Sequence, residues 1–157
     1  MGFNTNTKNE PEWLTPKYII GAVGPFDLDP CAPPIERRPW NTATNHYSKE
    51  IDGDGLTKEW KGKVWLNPPY GRETFKWLAK LAEHKSGIAL IFARTETTGF
   101  HKEIWEKAHG VFFFKGRLSF GVSGTGELKD RCNAPSCLVS YCDADTDIIK
   151  KAHKAGK

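Results

Sequence analysis

An open α/β sheet of mainly parallel strands is the fold class that the sequence predicts, and three observations lead to it. Strand-like segments alternate with segments of helical spacing along most of the chain. The run Ile88-Ala89-Leu90-Ile91-Phe92 is apolar at every position, as in a strand covered on both faces. Asp29, Asn67 and Arg94 fall at or just past the ends of expected strands, where ligands of such sheets sit.

Each element has its own signal. Thr15 as N-cap and Pro16 at the first position predict a short helix over 16–23. Phe26-Asp27-Leu28-Asp29 reads as a strand broken by Pro30, and a Pro-rich irregular segment follows over 31–45. Val64-Trp65-Leu66 is the next strand. Residues 74–84 have helical spacing, with Phe75, Leu78, Ala79 and Ala82 on one face. After the apolar strand 88–92, residues 100–108 are again helical. Strands are expected over 111–114 and 137–142, separated by a Gly-rich loop over 121–133 with the glycines of a lid or a DNA finger.

The chain of 157 residues suits one domain with a real core. The expected organisation is a frayed tail over 1–10, a single domain over 11–149 and a basic tail over 150–157. No apolar run approaches the roughly 20 residues of a membrane span, and the polar first residues lack a signal-peptide core. A cytoplasmic protein without membrane contact is therefore expected. The formal charge of +4 is compatible with a polyanionic partner. Four cysteines (Cys31, Cys132, Cys137 and Cys142) form no Cys-x-x-Cys, and no histidine completes a zinc spacing, so neither metal nor disulfide is expected.

Asn67-Pro68-Pro69-Tyr70, directly behind the strand 64–66, carries the strongest chemical signal. The Asn67 side-chain oxygen can accept a hydrogen bond from an exocyclic amine. Two prolines fix φ and offer no N–H, so the Pro68 carbonyl can be held as a second acceptor. Tyr70 supplies a flat face for a planar ring. Two acceptors and a ring platform suit the gripping of an amine on a planar base.

Together the motifs resemble the phage-type, Dam-like family of S-adenosylmethionine-dependent DNA N6-adenine methyltransferases. The resemblance runs from about Glu12 to Tyr141. It rests on Glu12-Trp13-Leu14-Thr15-Pro16, on Phe26-Asp27-Leu28-Asp29-Pro30-Cys31-Ala32, and on Asp54-Gly55-Leu56 followed by Trp60. It continues through the segment 64–72 and Ala93-Arg94-Thr95-Glu96-Thr97, and closes with the segments 115–120 and 133–136. It implies a Rossmann-like sheet, mostly parallel with an antiparallel C-terminal strand and helices on both faces. It also implies S-adenosylmethionine as cofactor and DNA, double-stranded, as substrate.

By the same resemblance Trp13, Thr15 and Pro16 surround the methionine end of the cofactor. Asp29, Pro30, Cys31 and Ala32 stand where other methyltransferases have an acid and a Gly-rich turn. Asp54, with Asp52 as a substitute, faces the adenosine, and Asn67 lies at the transferred methyl. Catalysis falls to Asn67, Pro68, Pro69 and Tyr70 on a flipped-out adenine. Arg72, Arg94, Arg117, Lys129 and Arg131, together with Arg37 and Arg38, are candidates for nucleic-acid contacts. The absence of Gly-x-Gly after Asp29 departs from the wider superfamily. Methylation of cytosine N4, RNA adenine or a protein glutamine remains open, as does a catalytically degenerate fold that only binds nucleic acid.

Overall fold

A computed structural model describes residues 13–122 and 134–156, with Trp13 and Val122 placed by their backbone alone. Of the expected loop over 121–133, Gly121 and Val122 form a strand instead, and the remainder, with Lys129 and Arg131, lies outside the described residues.

Six strands form the main sheet: β2 (Leu28–Asp29), β3 (Asn45–His46), β4 (Val64–Leu66), β5 (Gly87–Phe92), β6 (Gly110–Phe113) and β8 (Ser136–Ser140). Their order across the sheet is β3-β2-β4-β5-β8-β6. β2 pairs in parallel with β3 and β4, and β4 with β5, whereas β8 runs antiparallel between β5 and β6. The sheet is therefore mostly parallel, with a reversed last strand, as in a Rossmann-like methyltransferase fold. A separate two-stranded ribbon joins β1 (Trp13–Leu14) to β7 (Gly121–Val122). It anchors the chain immediately before Thr15.

The two faces of the sheet are covered by different helices. Ile88, Leu90 and Phe92 of β5 pack with Trp65 against α1 (Lys17–Val23) and α5 (Asp143–Lys154). Ala89 and Ile91 pack with Val64 and Leu66 against α3 (Thr74–His84) and Phe100 of α4 (Thr98–Phe100). This alternation, with every residue of β5 buried, explains the unbroken apolar run.

The differences from expectation have local causes. Thr15 does not cap α1: Pro16 precedes the helix and no side chain caps it. The Thr15 hydroxyl is directed into the protein instead. α3 has the expected bounds but buries Thr74, Trp77, Leu78 and Leu81, because the ridge with the largest side chains faces the sheet. The expected helix 100–108 is short α4 followed by a π-helical turn, His101–Trp105. Lys150 to Lys154 are not a tail but the end of α5, whose Ile149 and Ala152 are buried. Acidic Asp143 and Asp145 at its start and Lys151, His153 and Lys154 at its end suit the helix dipole.

Candidate active site

β2 has β3 on one side and β4 on the other. The chain leaves β2 toward β3 and leaves β4 toward β5, so the connections from these two neighbouring strands diverge and open a crevice at their carboxyl ends. Asp29 closes β2, His46 closes β3 and Asn67 follows β4, so three of the chain's polar side chains meet at the crevice.

Thr15 organises its floor. Its Oγ1 accepts hydrogen bonds from Trp65 Nε1 at 3.1 Å and from Asn67 Nδ2 at 3.5 Å. Its carbonyl accepts from Trp40 Nε1 at 2.9 Å. Binding the amide nitrogen of Asn67 leaves the amide oxygen turned away. That Oδ1 is buried and has no hydrogen-bond partner among the described residues. A buried, unpaired acceptor is destabilising by about 1–3 kcal/mol, a burden relieved when a donor arrives. Because water does not reach Oδ1, a donor enters only with a shift of side chains, and the long Asn67–Thr15 contact is the one that yields most easily.

Pro68 is buried, and the Pro69 carbonyl accepts a bond of 2.5 Å from Thr74 Oγ1 at the start of α3. This bond ties the rigid turn to the helix. The Tyr70 ring lies flat on Phe92, with centroids 4.2 Å apart and planes 6° from parallel. One face of Tyr70 is thus committed to the core. Beside it opens a cavity of about 560 Å³, lined by Arg72, Phe75, Arg94 and Glu96 among others. Arg94 also lies over the Phe92 ring at 5.8 Å.

At the end of β2, Asp29 is 4% exposed. Its Oδ1 accepts from the Cys31 amide at 3.0 Å and its Oδ2 accepts a short bond from the Thr42 hydroxyl. Burial raises its pKa to about 6, although the bonds from Thr42 and Cys31 and the charge of Arg38 oppose the rise. Pro30 and Ala32 are buried, and the Ala32 amide donates to the Tyr47 carbonyl at 3.0 Å. Burial and Arg38 lower the pKa of the neighbouring His46 to about 4.

Asp54 is exposed and caps the 3-10 turn Gly55–Thr57, its Oδ1 accepting from the Leu56 amide at 2.9 Å. Gly55 presses against the turn after β2: a Cβ there would stand 2.1 Å from the Pro30 carbonyl oxygen. The close approach brings the Asp54 turn to the crevice. Asp52 instead accepts from the Ser48 amide at 2.8 Å, at the start of α2 (Lys49–Asp52).

The basic candidates separate. Arg72 and Arg94 line the cavity beside Tyr70, and Arg117 is exposed on the segment after β6. Arg37 pairs with Glu50 at 2.6 Å. Arg38 turns to Asp29 and His46, a placement with no signal in the sequence. The same holds for Thr42, His46 and Ser48, which reach the site through the register of β3 against β2. Cys31, Cys137 and Cys142 are free thiols, and burial pushes Cys137 up to about 12.

Comparison with known proteins adds independent findings. A family model described as DNA N-6-adenine-methyltransferase (Dam) matches residues 2–153. A curated relative, the DNA N-6-adenine-methyltransferase of Escherichia phage T1, is 28% identical over 97% of this chain and 71% of its own length. No solved structure matches. Among the described residues no helix is long and apolar enough to cross a membrane.

Proposed function

The chain belongs to the DNA N-6-adenine-methyltransferase (Dam) family, and from that premise we propose that it transfers the methyl group of S-adenosylmethionine to the N6 amine of adenine in double-stranded DNA. It does so within a single domain that includes the whole of α5, in the cytoplasm of a bacterial host. The unpartnered Asn67 Oδ1 carries this reading.

The N6 amine of adenine is a weak nucleophile because its lone pair is delocalised into the ring. Asn67 Oδ1 and the Pro68 carbonyl accept its two hydrogens and draw the nitrogen toward tetrahedral geometry. Positive charge builds on N6 during transfer, and these fixed dipoles stabilise it without reorganising. An amide suffices because the amine becomes acidic only as the bond forms. Thr15 supports the same geometry by holding Nδ2, so that the oxygen rather than the nitrogen faces the amine.

The crevice fits the cofactor. Among the described residues, buried polar atoms without partners lie at or after the ends of β3 and β4 and on the segment between β2 and β3, where a polar ligand of the crevice can pair with them. Bound there, the cofactor supplies an activated methyl group on its sulfonium. Trp13, Thr15 and Pro16 would hold its methionine end, with Asp29 to Ala32 beside it and Asp54 toward the adenosine.

A base inside a duplex cannot reach this crevice and is flipped out. Its ring stacks on Tyr70, worth about 1–3 kcal/mol. The cavity of about 560 Å³ beside Tyr70 has room for a nucleotide. Arg72, Arg94 and Arg117 contact the DNA, with Lys129 and Arg131 from the Gly-rich segment.

The test is Asn67→Ala, assayed for methyl transfer, cofactor affinity and melting temperature. Loss of one preorganised dipole lowers kcat about 10²–10³-fold. The melting temperature and cofactor affinity stay near wild type, because Oδ1 has no partner to lose. A variant with wild-type kcat would remove Asn67 from the mechanism.

A further inference from the structure

Four of the six buried side-chain atoms without a hydrogen-bond partner among the described residues belong to Arg38, His46, Ser48 and Asn67. They are not scattered. His46 ends β3 in register with Asp29, Ser48 lies two residues farther on, and Asn67 follows β4. Arg38 arrives from the segment between β2 and β3, close enough for its charge to act on both Asp29 and His46. Buried polar groups are ordinarily paired, so a row of unpaired ones along adjacent strand ends marks a surface shaped for a polar ligand.

The turn after β2 shows what that ligand cannot obtain from the backbone. Pro30, Pro33 and Pro34 have no N–H. The Cys31 amide is taken by Asp29 Oδ1 and the Ala32 amide by the Tyr47 carbonyl, each at 3.0 Å. No backbone donor in residues 30–34 is therefore left for an anion. A glycine-rich turn at this position offers several such amides. An anionic group entering the crevice must be met by a side chain, and of the two arginines in this segment Arg37 is paired with Glu50.

We infer that the Arg38 guanidinium binds the carboxylate of S-adenosylmethionine, in place of the backbone amides that the prolines and their neighbours withhold. The inference rests on the cofactor reading above. Arginine suits the task because its planar fork matches a carboxylate and its charge is permanent. This inference assigns Arg38 to the cofactor rather than to the DNA contacts expected from the sequence.

The test compares S-adenosylmethionine with its decarboxylated form, which differs at the group in question, by calorimetric titration of the full chain. Wild type should prefer the carboxylated cofactor by about 10–100-fold, the range of a charge-assisted hydrogen-bonded pair. Arg38→Met keeps the apolar stem and should bind the two forms within about threefold of each other, whereas Arg38→Lys should keep a partial preference. DNA affinity should be the same in all three proteins. An Arg38→Met variant that keeps the wild-type preference overturns the inference and leaves the cofactor reading standing. Failure of wild type to bind either form overturns the cofactor reading itself, and the inference with it. If Arg38→Met instead weakens DNA binding at an unchanged cofactor preference, Arg38 is a DNA contact and the inference falls.

Discussion

Thr15→Val separates the structural from the catalytic part of the site. Valine nearly matches threonine in shape but has no oxygen, so the Trp65 indole loses the acceptor it holds at 3.1 Å. Trp65 is 0% exposed, and water cannot replace the lost partner. A buried donor left unpaired costs about 1–3 kcal/mol. In a chain of 157 residues this lowers the melting temperature by about 3–10 °C. The effect on turnover should be smaller. The Asn67 amide is held by a bond of 3.5 Å, weak enough that its loss changes the amide's orientational preference by no more than about 1 kcal/mol. A decrease in kcat of less than about tenfold follows. Asn67→Ala should show the reverse pattern, with slow transfer in a fold of nearly wild-type stability. Calorimetric melting and single-turnover methyl transfer, run on both variants with Thr15→Ser as control, measure the two effects. A Thr15→Val protein that melts with wild type, or that loses as much activity as Asn67→Ala, would refute this division of labour.

Three further outcomes are expected. Tyr70→Ala should weaken DNA binding by about 1–3 kcal/mol through lost base stacking, while Tyr70→Phe binds like wild type in the same fluorescence titration. Gly55→Ala should destabilise by at least about 2 kcal/mol in urea unfolding, because its Cβ would stand 2.1 Å from the Pro30 carbonyl oxygen, and it should weaken cofactor binding by displacing that turn. The pH dependence of stability should contain two opposed contributions. Asp29, raised from 3.8 to about 6, contributes stability below its unfolded value and loses it as pH rises through 6. His46, lowered from 6.5 to about 4, contributes stability above its unfolded value and loses it as pH falls through 4. Relative to wild type, Asp29→Asn should therefore gain stability between about pH 4.5 and 7, and His46→Gln should lose it over the same interval. Denaturant curves with parallel pH profiles for the two variants would refute that assignment.

The parts of the fold that the sequence made legible are those dictated by local pattern. The apolar run 88–92 could only be a strand buried on both faces, and the 74–84 periodicity matched α3 to the residue. The chemistry of Asn67 to Tyr70 was equally local, because two prolines after a buried strand leave few conformations. Elements created by pairing were not legible. β1, β3 and β7 have two residues each and exist only because a partner strand aligns them. α5 was hidden by its charge: its apolar stripe is narrow, and its basic end read as a tail. In the site, Thr15 had an ordinary local explanation as a helix cap, and the partners it chose are 50 and 52 residues away. Arg38 and His46 look like any surface residues until the fold brings them to Asp29, His46 through the register of β3 against β2 and Arg38 through the segment between those strands. Long-range geometry assembles the crevice, and the tetrapeptide supplies its reactive edge.

The central claim is methyl transfer to adenine N6, and it is tested most directly by nucleoside analysis. The purified chain is incubated with methyl-labelled S-adenosylmethionine and duplex DNA of mixed sequence, and the digested nucleosides are read by mass spectrometry. The account predicts label in N6-methyl-2′-deoxyadenosine, formed about 10²–10³-fold more slowly by Asn67→Ala. Label on the N4 amine of deoxycytidine, or no labelled nucleoside from a protein that binds the cofactor, would contradict it.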